Sequence, residues 1–511
     1  MIQSFQDFSL SKQFRIRLCC LVLVGLVACS STLRAEEILY PQIDKNRPNI
    51  LLVLCDDLGY GDLACYGHPL IKTPNIDHFA KEGLRLTDCY SAAANCSPSR
   101  TGLMTGRTPH RVGIHNWIPH NSVMHVRKRE ITVATLLRQS GYATCHVGKW
   151  HLNGLFNQVG QPQPPDHGFD HWFSTQNNAL PTHKNPINFV RNGQPVGKIE
   201  GFSAHIVTHE AIDWLTNQRD MEKPFFMYVC YHEPHEPINS AKRFQDLYPG
   251  LAHPAQANHH GDISQMDDAF GLLLKALDDL KLRDNTFVYF TSDNGPAITS
   301  RHPYGSAGPL RDKKGSNYEG GIRVPGILRW PGHTQPGTVC KTAVSGVDVL
   351  PTLCELAKVP VPKDRKLDGA SFLPILKDKP IQRSTPLYWQ FNAARSKPKV
   401  AMRDGEWKIL ADLTGDQIKP YSDIRSEDQK NMKQAELKTF ELYHLTEDIS
   451  ETTERSESEP ARLKMMTAKF RKLYHDVREE SPVWPAWVSP HIEGKIIKKY
   501  YQEQKAKEKA K

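Results

Sequence analysis

Three stretches of the chain share one form. Each is an unbroken apolar run of strand length that ends abruptly in acids, amides or histidines: "NILLVLCDDLGYGD" at 49–62, "FFMYVCYHEPHEP" at 225–237 and "NTFVYFTSDNG" at 285–295. "GYATCHVGKWH" at 141–151 is a weaker fourth copy. Apolar runs without polar alternation predict strands covered on both faces. Helical patterns fall between them, at 74–82, 132–139, 204–218 and 265–282. This alternation predicts an α/β fold with a large, mostly parallel sheet sandwiched by helices. In such sheets ligands bind beyond the carboxyl ends of the strands. Every polar cluster named above lies at such an end.

Near residue 380 the pattern changes. "VAMRDGEWKIL" reads as a hairpin around an Asp404-Gly405 turn, "ELYHL" as a further strand, and 461–474 as a closing helix. Together they predict a smaller α+β domain over 385–482 carrying an antiparallel sheet. The lysine-rich 483–511 reads as a basic tail, disordered or a frayed helix.

Composition adds bounds. The chain has 511 residues, 39% hydrophobic and 24% charged, enough for a large core. Of the net charge of +9, the segment 495–511 carries +5 (seven Lys against two Glu), leaving +4 on the body. That mildly favours anionic partners and does not argue for nucleic acid. Residues 1–35 read as an export signal. Lys12, Arg15 and Arg17 precede the apolar run 18–28, which is too short to span a bilayer comfortably. Leu26-Val27-Ala28-Cys29 resembles a bacterial lipobox, with cleavage after Ala35 as the competing reading. The expected location is a periplasm, an outer membrane through a lipid anchor, or the exterior; any membrane link is through that anchor alone. Eight of the 11 cysteines lie beyond the export segment, with no CxxC pair and no metal-finger spacing. Set Cys96 aside and seven remain, an odd number for a disulfide framework, so most read as small buried hydrophobes.

The candidate chemistry starts at the strand ends. Asp56 and Asp57 are adjacent acids, and Asp293-Asn294 form an acid–amide pair. Singly, each suits a solvated turn. Together they offer hard oxygen donors fit for Ca²⁺ or Mg²⁺ and unsuited to a soft metal. "NCSPSRTGLMTG" at 95–106 reads as a helix start, with Ser97 as cap and Pro98 at the first helical position. Cys96 and Arg100, four apart, share its face. A helix N-terminus with an arginine favours an anion, and a low-pKa thiolate also fits.

Cys96-Ser97-Pro98-Ser99-Arg100, with Leu103 and Thr105-Gly106, matches the signature of the type I sulfatases. "DDLGYGD", "GYATCHVGKWH", "PHEP", "SDNG" and "KGSNYEGGIRVP" occur in that family's order. The chain therefore resembles a formylglycine-dependent, arylsulfatase-like sulfatase from about residue 47 to 445. The resemblance implies an alkaline-phosphatase-like fold, with the catalytic domain over 45–384, and oxidation of Cys96 to formylglycine by a sulfatase-maturing enzyme. A hydrated aldehyde has two hydroxyls: one attacks sulfur, and the other re-forms the carbonyl and expels sulfate. By the same resemblance Asp56, Asp57, Asp293, Asn294 and the modified Cys96 face a divalent metal, Ca²⁺ in preference to Mg²⁺. Arg100 and Lys149 stabilise the deprotonated diol, and His151 is the base that collapses it. His235 protonates the leaving oxygen, and Lys314 binds the sulfate. Lys149 and His151, two apart, would point the same way from an extended backbone. His232 is expected only to support His235, and Asn177 or His183 to flank the sulfate without a catalytic role.

The implied substrate is a sulfate monoester, with sulfated glycans favoured by export and aryl sulfates as model substrates. The basic, His-rich loop at 107–129 reads equally as a glycan-binding strip or as scattered solvated cations. The rival readings are a phosphate or phosphonate monoesterase of the same superfamily, and a glycan-binding surface lipoprotein without catalysis.

Overall fold

The computed structural model describes residues 47–419 and 426–509. The export segment and its Cys29 lie outside the described residues. Among the described residues no helix is long and apolar enough to cross a membrane.

The apolar runs become the centre of a ten-stranded sheet. Thr286–Ser292, Asn49–Asp56, Phe225–Pro234, Ala143–Lys149 and His171–Thr175 lie side by side, all parallel. All eight residues of Asn49–Asp56 are buried, as expected for a strand covered on both faces. Both edges turn antiparallel: Gly326–Arg329 pairs with Thr286–Ser292, and Phe189–Arg191 with His171–Thr175.

Helices Pro74–Glu82, Ser203–Asp213 and Pro254–Asp279 cover one face, with Leu51, Val53, Phe79, Val207 and Phe270 in one core. Phe79 and Phe270 meet edge to face, 5.2 Å apart. Helix Val133–Gln139 lies against the strand Ala143–Lys149, and the helix Cys96–Thr105 against Val133–Gln139 and Val349–Leu356. Two predicted helices differ from expectation. The 204–218 pattern divides into Ser203–Asp213 and a π-helical turn, Trp214–Gln218. The 265–282 pattern starts earlier, at Pro254. His259, His260 and Asp262 are buried there, which masks the helical periodicity in the sequence.

A four-stranded antiparallel sheet, Leu387–Gln390, Val400–Asp404, Trp407–Leu413 and Leu437–His444, follows in that order. The hairpin turns at Gly405-Glu406, because Asp404 pairs with Trp407; Gly405 takes φ 63°. Its side chains alternate with period two. Trp389, Ala401 and Leu410 pack against Tyr90, Tyr318 and Ile322 beside the large sheet. Val400, Met402 and Ile409 pack against Phe470 and Tyr474 of the helix Pro460–Glu480. Lys408, fully buried, bridges Glu319 and Glu451 at 2.8 Å each and ties the two layers together.

Of the two readings of the tail, the helical one holds. Ile492–Lys509 is a helix. Glu493, Ile497, Tyr500 and Tyr501 recur at helical spacing and supply a contact stripe among the lysines.

Candidate active site

The site is assembled at the carboxyl ends of the parallel strands. Asp56 ends its strand, and Asp57 follows at φ 65°, a left-handed turn that sends the two carboxylates in different directions. Lys149 ends the next strand but one, across Phe225–Pro234, Asp293 and Asn294 follow Ser292, and His235 follows Pro234. Gly295 is required by close approach: a Cβ there would lie 1.9 Å from the Gly320 carbonyl oxygen. Gly148, at φ 100°, would set one 1.8 Å from the Cys230 carbonyl oxygen.

The thiol opens the helix Cys96–Thr105. Asn95 stands at the cap position without a side-chain capping bond, and its amide donates to Asn116 instead. Ser97 is therefore inside the helix and is not its cap; its hydroxyl accepts from the Ile118 amide at 3.0 Å. The Cys96 Sγ lies 3.7 Å from an Asp56 oxygen. Ligand atoms of Asp56, Asp57, Cys96 and His235 all lie within 4.8 Å of one another. Burial pushes the Cys96 thiol up to about 12, against the pull of Lys149 and Lys314. The low-pKa thiolate of the sequence reading is thus overturned, because enclosure outweighs the nearby cations.

Three cations converge on the acids. Lys149 Nζ sits 2.5 Å from Asp56, and Lys314 Nζ 2.6 Å from Asp57. Arg100 donates from Nε and Nη2 to one oxygen of Asp293 at 3.0 and 2.8 Å, and from Nη1 to the Lys149 carbonyl. Despite burial, Lys149, His235 and Arg100 hold Asp56 well below the usual carboxylate range. Asp293 goes the other way, to about 7, because burial and the Asp56 charge outweigh Arg100. Its Oδ2 accepts from Arg100 and its Oδ1 from the Asp57 amide at 3.2 Å, and Oδ1 keeps a further lone pair for a cation. Asp57 Oδ2 and Asn294 Oδ1 are buried without a hydrogen-bond partner. The under-satisfied hard oxygens of Asp57 and Asn294, with the carboxylates of Asp56 and Asp293 beside them, fit a divalent cation held by Asp56, Asp57, Asp293 and Asn294.

The two histidines differ. The chain is not extended at His151, which takes φ 57° beyond the strand end, so the shared direction with Lys149 predicted from spacing has no basis in the backbone. Its Nε2 donates to the Ile118 carbonyl at 3.2 Å, leaving Nδ1 as a buried, unpartnered acceptor. Burial, with Lys149 and Arg100, holds His151 well below its ordinary pKa, so it is neutral. The His235 Nδ1 donates to the Glu236 carbonyl, and its Nε2 stands 3.5 Å from Asp57. Burial lowers its pKa, while Asp57 raises it.

Cys96, His151, His235 and Lys314 line one cavity of about 320 Å³. Trp117, Asn177, Asn178 and Glu493 line it too, none of which the sequence placed in the catalytic set. Asn177 was legible only as a flanking candidate, and nothing in the spacing marked Glu493. His232 stands behind, its Nε2 2.8 Å from the Thr175 hydroxyl. His183 is buried 3.3 Å from Asp262; despite burial, Asp262 and Glu233 hold it up at about 8. The basic loop divides: Lys128 and Arg129 are exposed, whereas its first arginines are ion-paired. Arg107 pairs with Glu130 and Glu480, and Arg111 with Asp368, Asp476 and Glu480. His110 and His115 are buried.

A buried nest of fixed cations and carboxylates around residue 96, at the carboxyl edge of a parallel sheet, defines a hydrolase for anionic esters. The family model described as Sulfatase matches residues 48–359, and one described as N-sulphoglucosamine sulphohydrolase, C-terminal, matches 310–414. The chain belongs to the sulfatase family and is a sulfuric ester hydrolase. It is 34% identical over 384 residues to rat N-acetylgalactosamine-6-sulfatase, covering 69% of this chain and 71% of that one. It is 37% identical over 353 residues to human arylsulfatase A, covering 64% and 68%. Among solved structures, Ps i-CgsB in complex with k-i-k-neocarrahexaose superposes with a TM-score of 0.73 at 28% identity, covering 88% of this chain and 96% of that one.

Proposed function

We propose that this chain is an exported sulfatase of sulfated glycans that works through formylglycine at position 96 with a divalent cation, calcium in preference to magnesium. The observation that carries this reading is the convergence of Asp56, Asp57, Cys96 and His235 within 4.8 Å, ringed by Lys149, Lys314 and Arg100. The likeness to a protein solved with an oligosaccharide supports the glycan class.

The aldehyde at 96 would supply, as its hydrate, the hydroxyl that attacks sulfur. Asp56, Asp57, Asp293 and Asn294 would hold the cation, whose chemistry is to neutralise charge and lower the pKa of a nearby hydroxyl. The chain's own groups do the rest. Lys314, at the cavity wall, grips the sulfuryl oxygens, and losing one such donor costs about 2.7–4 kcal/mol of transition-state stabilisation. Arg100 and Lys149, pinned by buried partners, keep positive charge fixed beside residue 96 without reorganising. The bare Nδ1 of neutral His151 accepts a proton during product release. The His235 Nε2 delivers one to the leaving oxygen, and an anionic substrate beside it favours the protonated imidazole that this requires.

The test is a panel of sulfate, phosphate and phosphonate monoesters, assayed on protein matured in its native host. Preference for sulfate is expected; preference for phosphate would overturn the assignment. An unmodified Cys96 in a protein that binds sulfated glycans without cleaving them would favour the non-catalytic reading.

A further inference from the structure

A second cavity, of about 360 Å³, shares His235, Lys314 and Asn178 with the reaction site and extends away from it. Its outer wall carries Arg301, Lys313, Arg395 and Lys498. The acid beside them, Glu236, pairs with Arg301 at 2.9 Å. Lys313 Nζ donates to the Ile298 carbonyl, which fixes its position and leaves its charge unneutralised by that bond. Four cations and one acid line this wall, separate from Lys314, which serves the reacting group.

The C-terminal helix Ile492–Lys509 forms one side of both cavities through Gly494 and Ile497. It is fastened in three places. Glu493 accepts from Asn177 Nδ2 at 2.6 Å and from the Asn178 amide at 3.2 Å. The Tyr500 hydroxyl accepts from Asn239 at 3.3 Å. The Tyr501 ring lies 4.6 Å from the Arg301 guanidinium, and its hydroxyl 3.2 Å from His302 Nε2. Fastened this way, the helix carries Lys498 to the outer wall. Inside the rim, the Oδ1 atoms of Asn177 and Asn178 are buried without partners. They are acceptors suited to sugar hydroxyls.

We propose that the C-terminal helix completes a second anion subsite, in which Lys498 with Arg301, Lys313 and Arg395 binds a carboxylate or sulfate of the substrate other than the sulfate being cleaved. The proposal rests on the sulfatase reading, since Lys314 and His235 mark the reacting end. It predicts that the enzyme prefers esters carrying another negative group beyond the scissile one. Small aryl sulfates fill only the inner cavity, which Lys498 does not line, and gain nothing from that lysine.

The experiment uses the matured, metal-loaded enzyme with an aryl sulfate as reporter. Sulfated disaccharides serve as competitors, in three arms: no further anion, one further carboxylate and one further sulfate. Lys498→Glu, at an exposed position, is compared with the native chain and with a chain ending at Ser489. In the native enzyme a further anion should lower the inhibition constant about tenfold, an energy typical of one well-placed charged contact. Lys498→Glu should erase that advantage while kcat/KM for the aryl sulfate stays within about twofold. The arm with the larger native advantage identifies the group. No advantage in the native enzyme, or one that survives Lys498→Glu and the shortened chain alike, overturns the subsite. If the shortened chain does not fold, the point variant decides alone. Failure of the native enzyme to hydrolyse the aryl sulfate would instead count against the sulfatase reading.

Discussion

Replacing Lys149 or Lys314 by Met removes one cation near residue 96, yet the two losses should separate in a telling way. Each deletes a donor aimed at the anion, so each should lower kcat by about 10²–10³. Their effects on stability differ because their surroundings do. Lys149 and Asp56 are both fully buried and 2.5 Å apart. Removing Lys149 leaves a dry carboxylate whose nearest remaining cation is Arg100 at 3.9 Å. Breaking such a pair typically costs about 3–5 kcal/mol. The Lys314 side chain keeps 13% exposure, so water can reach the Asp57 oxygen it leaves, and the loss should fall to about 1 kcal/mol. The assay is the urea midpoint of each variant, with chelator and with calcium, beside sulfate release from an aryl sulfate. A cation held by Asp56 substitutes for the missing lysine charge, so calcium should restore much of the stability of Lys149→Met and little of its turnover. Equal destabilisation of both variants, or a Lys149→Met midpoint indifferent to calcium, would refute this account of the site's charge balance.

Other outcomes follow from the same structure. His110, His146 and His167 are buried neutral, with burial pushing His110 and His167 down to about 4 and His146 to about 3. The unfolded chain takes up protons on these groups from about pH 6.5 downward and the folded chain does not, so their own contribution to stability should fall between about pH 6.5 and 4, by roughly 3 kcal/mol per histidine, against the opposite contribution of buried acids such as Asp62 and Asp267. His183, held up at about 8, acts oppositely; its contribution is present below about pH 6.5 and is lost as pH rises through 8. Melting curves of the native chain, His146→Gln and His183→Gln at pH 4.5, 6 and 7.5 check both, and variants whose pH dependence matches the native chain's contradict them. Lys408→Met strands Glu319 and Glu451 and should cost about 3–5 kcal/mol by urea unfolding, with partial rescue by adding Glu451→Gln. Chelation should abolish sulfate release and calcium should restore it; full activity in excess chelator would remove the metal assignment.

The central strands were legible because a strand buried on both faces shows as an unbroken apolar run, and the polar residues at its end cannot belong to that core. The small sheet was legible from the Asp404-Gly405 turn signal between two extended runs. What was hidden depends on partners far along the chain. Asn95 and Ser97 exchange roles at the start of the Cys96 helix because Asn116 and Ile118 engage them. The turn at His151 depends on a left-handed residue that its spacing from Lys149 cannot reveal. Arg107 and Arg111 look like a basic strip until the carboxylates of Glu480 and Asp476, more than 360 positions away, neutralise them. The tail looked solvated because its lysines conceal the stripe that reaches Asn177 and Arg301.

The most direct test is the mass of the peptide carrying Cys96, taken from protein that releases sulfate and compared with its specific activity. The account predicts a residue that has lost a sulfur and two hydrogens and gained one oxygen, in proportion to activity. A fully active preparation in which every copy of Cys96 keeps its thiol would contradict it.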